Sequence, residues 1–520
     1  MALFPPPGDQ QRKGLAHQLF GRLLFAGTKR LLRLLVGTAV FLGFVVLLVV
    51  LLSGHEDQLL PTPEFLDGAG FYSYNTSSDF LPVSVPQAAD ASTEELCDTF
   101  PHHMLEYVQP VLKVGHGDAP DKLAAQLESV SACFAPDDLL IMSDLDETFG
   151  NYTAFDVLAH LPARYYDRTY NPDIKSYLRM KELSINGLLD VDQEATDKID
   201  GWAIDKYKFL PQIERAWRVK PNKPFYFFYE TDTYIFWDAV FRFLQTFDPD
   251  APIYMGSPSP GRVDESRNVK TWFANGGPGF ALSRGAVKRL LARETSASGQ
   301  FTEPSATQKW LPVLTHDCCG DSVLGWALWH SGVPLQGYWP MFNAHPLHGI
   351  PFDSPYWCQP VLSLHKTRPE DMRPLWRWEF ARRTNDRPLL YADLLGYHFG
   401  GRDDVSRTGW DNGDWNGWIA DDGKDIESFD ACREACVADK GCVQFNWRGR
   451  DARKCLLMRT FRYGSKRDAE TMMEQDGDRG GKERWVDFTA GWLGERMEQW
   501  RTKKTCDVVE WVGPSVSRVS

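Results

Sequence analysis

The chain carries no surplus of positive charge. Its 57 Lys and Arg stand against 70 Asp and Glu, a formal net charge of −13 over 520 residues. That balance argues against general nucleic-acid binding, in which clustered cations meet the phosphate backbone. Paired Cys-x-x-Cys knuckles are missing as well. The ten cysteines therefore favour disulfides over zinc, and disulfides imply an oxidising compartment. Charge disappears altogether from residues 34–52, an apolar run of about 28 Å as a helix, enough to cross a hydrocarbon core of roughly 30 Å. It lacks a good small-residue cleavage site, so an uncleaved signal-anchor is preferred to a removed signal peptide. Aromatic residues, by contrast, abound. With 19 Trp, 31 Phe and 18 Tyr, the chain is not a disordered one, and such residues suit stacking on sugars or bases.

Charge also sets a direction. Arg12, Lys13, Arg22, Lys29, Arg30 and Arg33 precede the apolar run against the single acid Asp9, and Glu56 and Asp57 come after it. The positive-inside rule keeps residues 1–33 cytosolic and sends the chain beyond residue 53 across the membrane. On this reading 34–53 is the transmembrane anchor and 54–95, mixing Pro, Ser, Asp and Gly, is a stem. Asn75-Thr76-Ser77 and Asn151-Tyr152-Thr153 are glycosylation sequons on the translocated side.

The chain is organised around residues 224–237. Phe225-Tyr226-Phe227-Phe228-Tyr229 reads as a strand buried on both faces, and it ends in two acids, Glu230 and Asp232. Trp237, Val240, Phe241 and Leu244 then fall at helical spacing. Acids between a buried strand and a helix lie in the crevice at the carboxyl end of an α/β sheet, where ligands bind. Two carboxylates one residue apart suit a divalent metal holding a diphosphate. A solvated turn is the bland alternative, and the strand context weighs against it. Residues 139–142 form a second short strand, and Asp144 and Asp146 after it read equally as nucleotide-binding acids or as turn residues.

Further along, helix is expected over 122–133 and, in outline, over 177–205. Lys206 and Lys208 face either phosphates or, more ordinarily, solvent. Residues 253–256 form another strand, Asn275-Gly276-Gly277-Pro278-Gly279 a loop that lets backbone approach a ligand, and Ser283 a helix N-cap. Asp321 opens an apolar helix around Val323, Leu324 and Leu328, as a cap or as a working acid. Residues 357–365 alternate into a strand presenting His365, and a lone histidine is more often structural than a ligand.

Taken in order, these pieces resemble glycosyltransferase family 31, the fringe and core-1 β1,3-galactosyltransferase group, from about residue 139 to 366. The resemblance rests on Glu230-Thr231-Asp232-Thr233-Tyr234, Pro252-Ile253-Tyr254-Met255-Gly256, Asn275-Gly276-Gly277-Pro278-Gly279-Phe280, Gly320-Asp321-Ser322-Val323-Leu324-Gly325 and Leu364-His365. Asp205-Lys206-Tyr207-Lys208-Phe209-Leu210-Pro211 is similar to the fungal members. It implies a GT-A fold over 96–400, a type II anchor in the Golgi or another secretory membrane, a UDP-sugar donor, Mn²⁺ or another divalent metal, and a glycan or glycoprotein acceptor. It further implies Asp232 and His365 as metal ligands, Glu230 at metal or ribose, Gly276 and Gly277 lining the cleft, and Asp321 as base of an inverting β1,3-type transfer of galactose or N-acetylglucosamine. Gly320 stands where the family has an acid.

From about residue 409 the texture changes. Trp410, Trp415 and Trp418 lie in a Gly-, Asp- and Asn-rich stretch. Cys432 and Cys436 share a helical face, and Cys442 and Cys455 are expected on the strands that come next. Residues 405–490 resemble a PAN/Apple module, which implies the pairs Cys432–Cys455 and Cys436–Cys442 and a protein- or carbohydrate-binding role. Residues 491–520 are expected to return to the first domain, and the partners of the other cysteines are open. Two other classes compete with the transferase. One is a catalytically inert membrane-anchored lectin using this module, supported only by Gly320, and the other a glycoside hydrolase with paired carboxylates.

Overall fold

The computed structural model describes residues 91–516 except 119, 190, 192, 197, 353–355, 384–386, 400–405, 414–416, 421–425 and 476–480. The expected anchor at 34–53, most of the stem and the Asn75 sequon lie outside the described residues. Among the described residues no helix is long and apolar enough to cross a membrane. The chain divides into two compact units, 1–66 with 264–270 and 67–263 with 271–520. Of the first, only the turn at 264–270 is described, where Asp264 Oδ1 accepts from Ser266 N at 3.1 Å. The second unit holds the large central sheet and the main cleft.

Its centre is an eight-stranded mixed sheet. In chain order the strands are β1 (Val108–Lys113), β2 (Leu140–Ser143), β3 (Glu147–Phe149), β4 (Tyr152–Asp156), β5 (Phe225–Glu230), β6 (Tyr254–Gly256), β7 (Phe280–Ser283) and β8 (Leu335–Gly337). They lie in the order β8-β6-β7-β5-β1-β2-β4-β3. Strand β5 sits between β1, which runs parallel to it, and β7, which runs antiparallel. Its five aromatic residues are buried on both faces, as the unbroken run predicts, and Glu230 emerges at the end. Because β1, β2 and β5 are parallel, their carboxyl ends share one edge, and Lys113 pairs in register with Glu230. That edge is the floor of the main cleft.

Helices α1 (Gly201–Asp205), α2 (Phe209–Val219), α3 (Trp237–Leu244), α4 (Arg284–Leu291) and α5 (Gly320–His330) are those that shape the cleft or pack the sheet. Ser283 caps α4 by accepting from Ala286 N, as its position before the apolar helix predicts. Three sequence readings are corrected. The helix expected over 122–133 is Pro120–Leu127, and the chain then turns so that Cys133 can reach Cys97. The helical outline over 177–205 breaks after Ile185, because Asn186 and Gly187, with φ of 66° at the glycine, end the first helix. The alternating stretch 357–365 is strand only at Ser363–Leu364, since Cys358 is held in a turn by its disulfide to Cys506.

The later region is a five-stranded sheet in which Phe488–Trp492 pairs with both Ser406–Thr408 and Gln444–Arg448. Helix Phe429–Ala438 carries Cys432 and Cys436, which bond Cys455 and Cys442, the pairing the module resemblance implies. Cys442 precedes its strand instead of lying on it, because that strand begins at Gln444. Phe461, Ala490, Trp492 and Met497 join the core of the first domain. Trp492 meets Phe399 with ring centroids 5.7 Å apart and donates to Arg462 O at 2.7 Å. The tail returns to the sheet, where Ser515 N donates to Gly337 O at 2.7 Å.

This shared core makes a prediction. Trp492→Ala should lower unfolding stability by about 3–5 kcal/mol, the usual range for emptying a buried Trp site. Val437→Ala, on the exposed side of the same region (51% exposed), should stay within about 0.5 kcal/mol of the parent. Urea denaturation of both variants checks this, and equal midpoints would contradict a shared core.

Candidate functional site

Glu230, Asp232 and His365 come together from two sheets. Glu230 ends β5, and the chain turns through Thr233 into a short strand, Tyr234–Ile235, whose Tyr234 pairs antiparallel with Leu364. That register sets His365 beside Asp232, and Thr367 N fixes it by donating to Asp232 O at 2.9 Å. One ligand atom from each of the three residues lies within 4.8 Å of the others, and His365 Nε2 is 3.5 Å from Asp232 Oδ1. Asp232 Oδ1 is buried and has no hydrogen-bond partner among the described residues. Burial lowers the pKa of His365, with Asp232 and Glu230 opposing, which keeps the ring neutral and its lone pair available. Two carboxylates, one with an orphaned buried oxygen, and a neutral imidazole fit a divalent ion such as Mn²⁺.

Gly277 is required by this cluster. A Cβ there would lie 2.1 Å from His365 Cε1, so only glycine lets the loop lie against the imidazole. Thr233 Oγ1 donates to Gly277 O at 2.6 Å and holds that approach. Gly276 N donates to Asp321 Oδ2 at 2.8 Å, which ties the glycine loop to the start of α5.

Asp321 lies in the first turn of α5. Burial pushes its carboxyl up to about 6, with the negative charge of Glu230 adding and hydrogen bonds from Gly276 and Ser322 opposing. A carboxylate poised near neutrality in a cleft has the right strength for a general base. Gly320 before it is buried, and a Cβ at that position would lie 2.4 Å from Lys206 O and from Phe209 Cδ2. An acid is absent there because α5 begins directly against the α1–α2 segment.

Below these groups lies a buried ionic floor that the sequence reading missed. Lys113 Nζ pairs with Asp205 and sits 3.0 Å from Glu230 Oε1. Lys208 Nζ lies 2.9 Å from Asp144 Oδ2 and 3.5 Å from Asp205 Oδ1. Burial alone would lower both lysines, but Asp205 with Glu230 and Asp144 with Asp205 hold them above their ordinary value. Lys206 pairs with Asp173 at 2.8 Å and donates to Asp317 O at 3.0 Å. The expectation that Lys206 and Lys208 face solvent or phosphate is thereby corrected, since each is committed to an acid within the protein. Asp144 lines the cleft, with Oδ2 against Lys208 and Oδ1 accepting from His116 N at 2.8 Å. These two contacts tie it to the loop after β1 and to the segment after α1. Lys113 escaped notice because Gln109 and Pro110 disguise β1, although Gln109 Nε2 is satisfied by Asp138 O at 2.8 Å.

The Glu230, Asp232 and His365 cluster, the Gly276–Gly277 loop, Gly320, Asp321 and the floor residues Lys113, Asp144, Asp205, Lys206 and Lys208 line one cleft of about 910 Å³, and Trp202, Cys318 and Cys319 line it too. Cys318 and Cys319 are bonded to each other, so no cysteine is free. The sequence hint was the adjacent pair itself.

The steric account of Gly320 is open to test. Gly320→Asp, which would supply the acid usual in the resembling family, should destabilise the fold by about 1–3 kcal/mol through overpacking and abolish any activity that depends on Asp321. A more active or equally stable variant, by thermal unfolding and turnover, would refute the account.

Residues 209–333 match the Fringe-like family model. Over 130 residues the chain is 33% identical to the beta-1,3-N-acetylglucosaminyltransferase manic fringe of Danio rerio, in an alignment covering 22% of this chain and 32% of that protein. The chain thus spans about a third of the length of the curated relative it matches. The matched span takes in Glu230, Asp232, Gly276, Gly277 and Asp321, whereas Lys113, Asp144 and His365 lie outside it. Residues 209–333, which bring Glu230, Asp232, Gly276, Gly277 and Asp321 to the cleft, are thus the part of this chain that is similar to Fringe-like proteins, among them a glycosyltransferase.

Proposed function

We propose that the chain is a metal-dependent, inverting glycosyltransferase that moves a sugar from a UDP-sugar to a hydroxyl of a glycan or glycoprotein, with β1,3 linkage. The observation that carries this reading is the joining of a metal-type cluster, Glu230, Asp232 and His365, to a carboxyl held near neutrality, Asp321, through the single loop Gly276–Gly277. A divalent ion bound by the three residues would supply charge neutralisation for the diphosphate as it leaves. Asp321 accepts the acceptor's proton as its oxygen attacks the anomeric carbon from the face opposite UDP. The new carbon–oxygen bond forms as the old one breaks, and UDP departs with the electron pair. Gly276 N holds Asp321 in place for this transfer. The matched relative makes UDP-N-acetylglucosamine the first donor to test, beside UDP-galactose. The inert-lectin alternative rests on the missing acid at Gly320 alone, a position where a Cβ would lie 2.4 Å from Lys206 O.

The proposal extends to topology. Residues 34–53 are the signal-anchor of a type II protein in the Golgi or another secretory membrane. Five disulfides among ten cysteines favour the lumen for the rest of the chain. Residues 405–490 form the PAN/Apple-like module beside a transferase domain of the fungal type.

Detergent-solubilised full chain should release UDP from one UDP-sugar with Mn²⁺ and acceptor, and chelation or Asp232→Ala should remove both turnover and metal-dependent donor binding. If no UDP-sugar binds in a metal-dependent way, the reading fails. Asp321→Asn should retain donor binding and lose about 10²–10⁴-fold in kcat. The base works when deprotonated, so kcat/KM should fall as pH drops below about 6 and level off above it. A profile flat from pH 5 to pH 8 would exclude Asp321 as the base.

A further inference from the structure

Trp202 is 72% exposed, although Trp is buried on average in folded proteins. It is nonetheless part of the cleft wall, together with Cys318, Cys319 and Asp321. Among the described residues no ring or cation stacks on its indole. Asp200 anchors its short helix by accepting from Ala203 N at 3.0 Å, so the side chain projects from a fixed backbone.

The segment that carries Trp202 and the loop that carries the disulfide form one rim. Lys206, four residues beyond Trp202, donates to Asp317 O. Gly320 lies so close to Lys206 O that no Cβ fits between them. The disulfide joining Cys318 and Cys319 fixes the loop next to Asp321 and places both half-cystines on the wall. The rim therefore combines an exposed indole and a disulfide with two carboxyls, Asp321 and the Asp205 already neutralised by Lys113 and Lys208, whereas the groups that suit a metal and a diphosphate are gathered at Glu230, Asp232 and His365. An uncharged ligand with an apolar C–H face and hydroxyl edges suits such a rim, as a pyranose does.

We infer that Trp202 and the Cys318–Cys319 disulfide form the acceptor platform, the indole stacking on the C–H face of a neutral pyranose and turning one hydroxyl toward Asp321. The assignment to acceptor rather than to donor base comes from chain position. The disulfide is two residues from Asp321, so the ring resting on it is the one whose proton Asp321 takes. This rests on the transferase reading of the cleft.

The test uses solubilised full chain with Mn²⁺ and UDP, and the methyl glycosides of galactose, N-acetylgalactosamine, N-acetylglucosamine, fucose, mannose and glucose as probes, their binding followed by saturation-transfer NMR. At least one glycoside should bind the parent. Trp202→Ala should weaken it about tenfold or more, which corresponds to about 1.4 kcal/mol. Trp202→Phe should recover most of the loss, and the double variant Cys318→Ser, Cys319→Ser should weaken it as well. The Kd of UDP with Mn²⁺ should change less than about twofold in every variant, because the floor is untouched; Trp202 is exposed, so its loss should not unfold the chain. The inference is overturned if no glycoside binds parent protein that does bind UDP with Mn²⁺. It is overturned equally if Trp202→Ala leaves glycoside affinity unchanged, or if that variant weakens UDP and spares the glycoside, which would place Trp202 under the uracil. Failure of the parent to bind UDP with Mn²⁺ would instead bring down the transferase reading itself.

Discussion

Lys113 is the residue on which the cleft depends. It ends β1, is 6% exposed, and meets both Asp205 from α1 and Glu230 from β5. Burying an ammonium is unfavourable unless acids surround it, and removing one partner of such a group leaves a stranded charge that costs several kcal/mol. The floor is therefore locked from several sides: a shift in α1, in β5 or in the Asp144 loop would unpair a buried ion. Replacing the whole network by apolar groups could equally stabilise the fold, so its retention is better understood as fixing geometry than as adding stability. The network fixes the position of Glu230 relative to Asp232 and His365, and of α1 relative to the cleft wall.

Steric contact does the complementary work. Gly277 against the His365 ring and Gly320 against the Lys206 carbonyl are positions where a single added carbon has no room. The first lets the glycine loop cover the metal-type cluster. The second lets α5 begin close enough to α2 for Asp321 to accept from Gly276 N. The acid that the resembling family has at 320 would not fit here. The remaining carboxyl, Asp321, is raised toward neutrality by its burial.

The later module and the tail act as a brace. Phe461, Ala490 and Trp492 share the core that also holds Tyr234 and Leu364, the register partners that place His365. The disulfide from Cys358 to Cys506 closes the tail onto the segment leading to Ser363–Leu364. Packing of the module is thus continuous with the strand pair that brings His365 to Asp232, which gives the tail a mechanical reason to return.

Much of this was legible in the chain. The buried run 225–229, its two terminal acids, the glycine loop, the Ser283 cap and the helix opened by Asp321 come from local periodicity and turn chemistry, which depend on neighbours a few residues away. Strand β1 was not legible, because Gln109 and Pro110 break its apolar pattern and the carbonyl that satisfies Gln109, that of Asp138, lies outside the strand. The breaks after Leu127 and Ile185 were missed because disulfide reach and glycine conformation, not apolar spacing, end those helices. Local order along the chain was enough to set which side chains could serve a metal, a base and a close backbone approach. Long-range packing settled that Lys113 and Lys208 are committed to acids instead of phosphates, that Gly320 admits no carboxylate, and that Cys318 bonds Cys319. Each of these arises from contacts between groups that the folded sheet and helices bring together, and no local pattern records them.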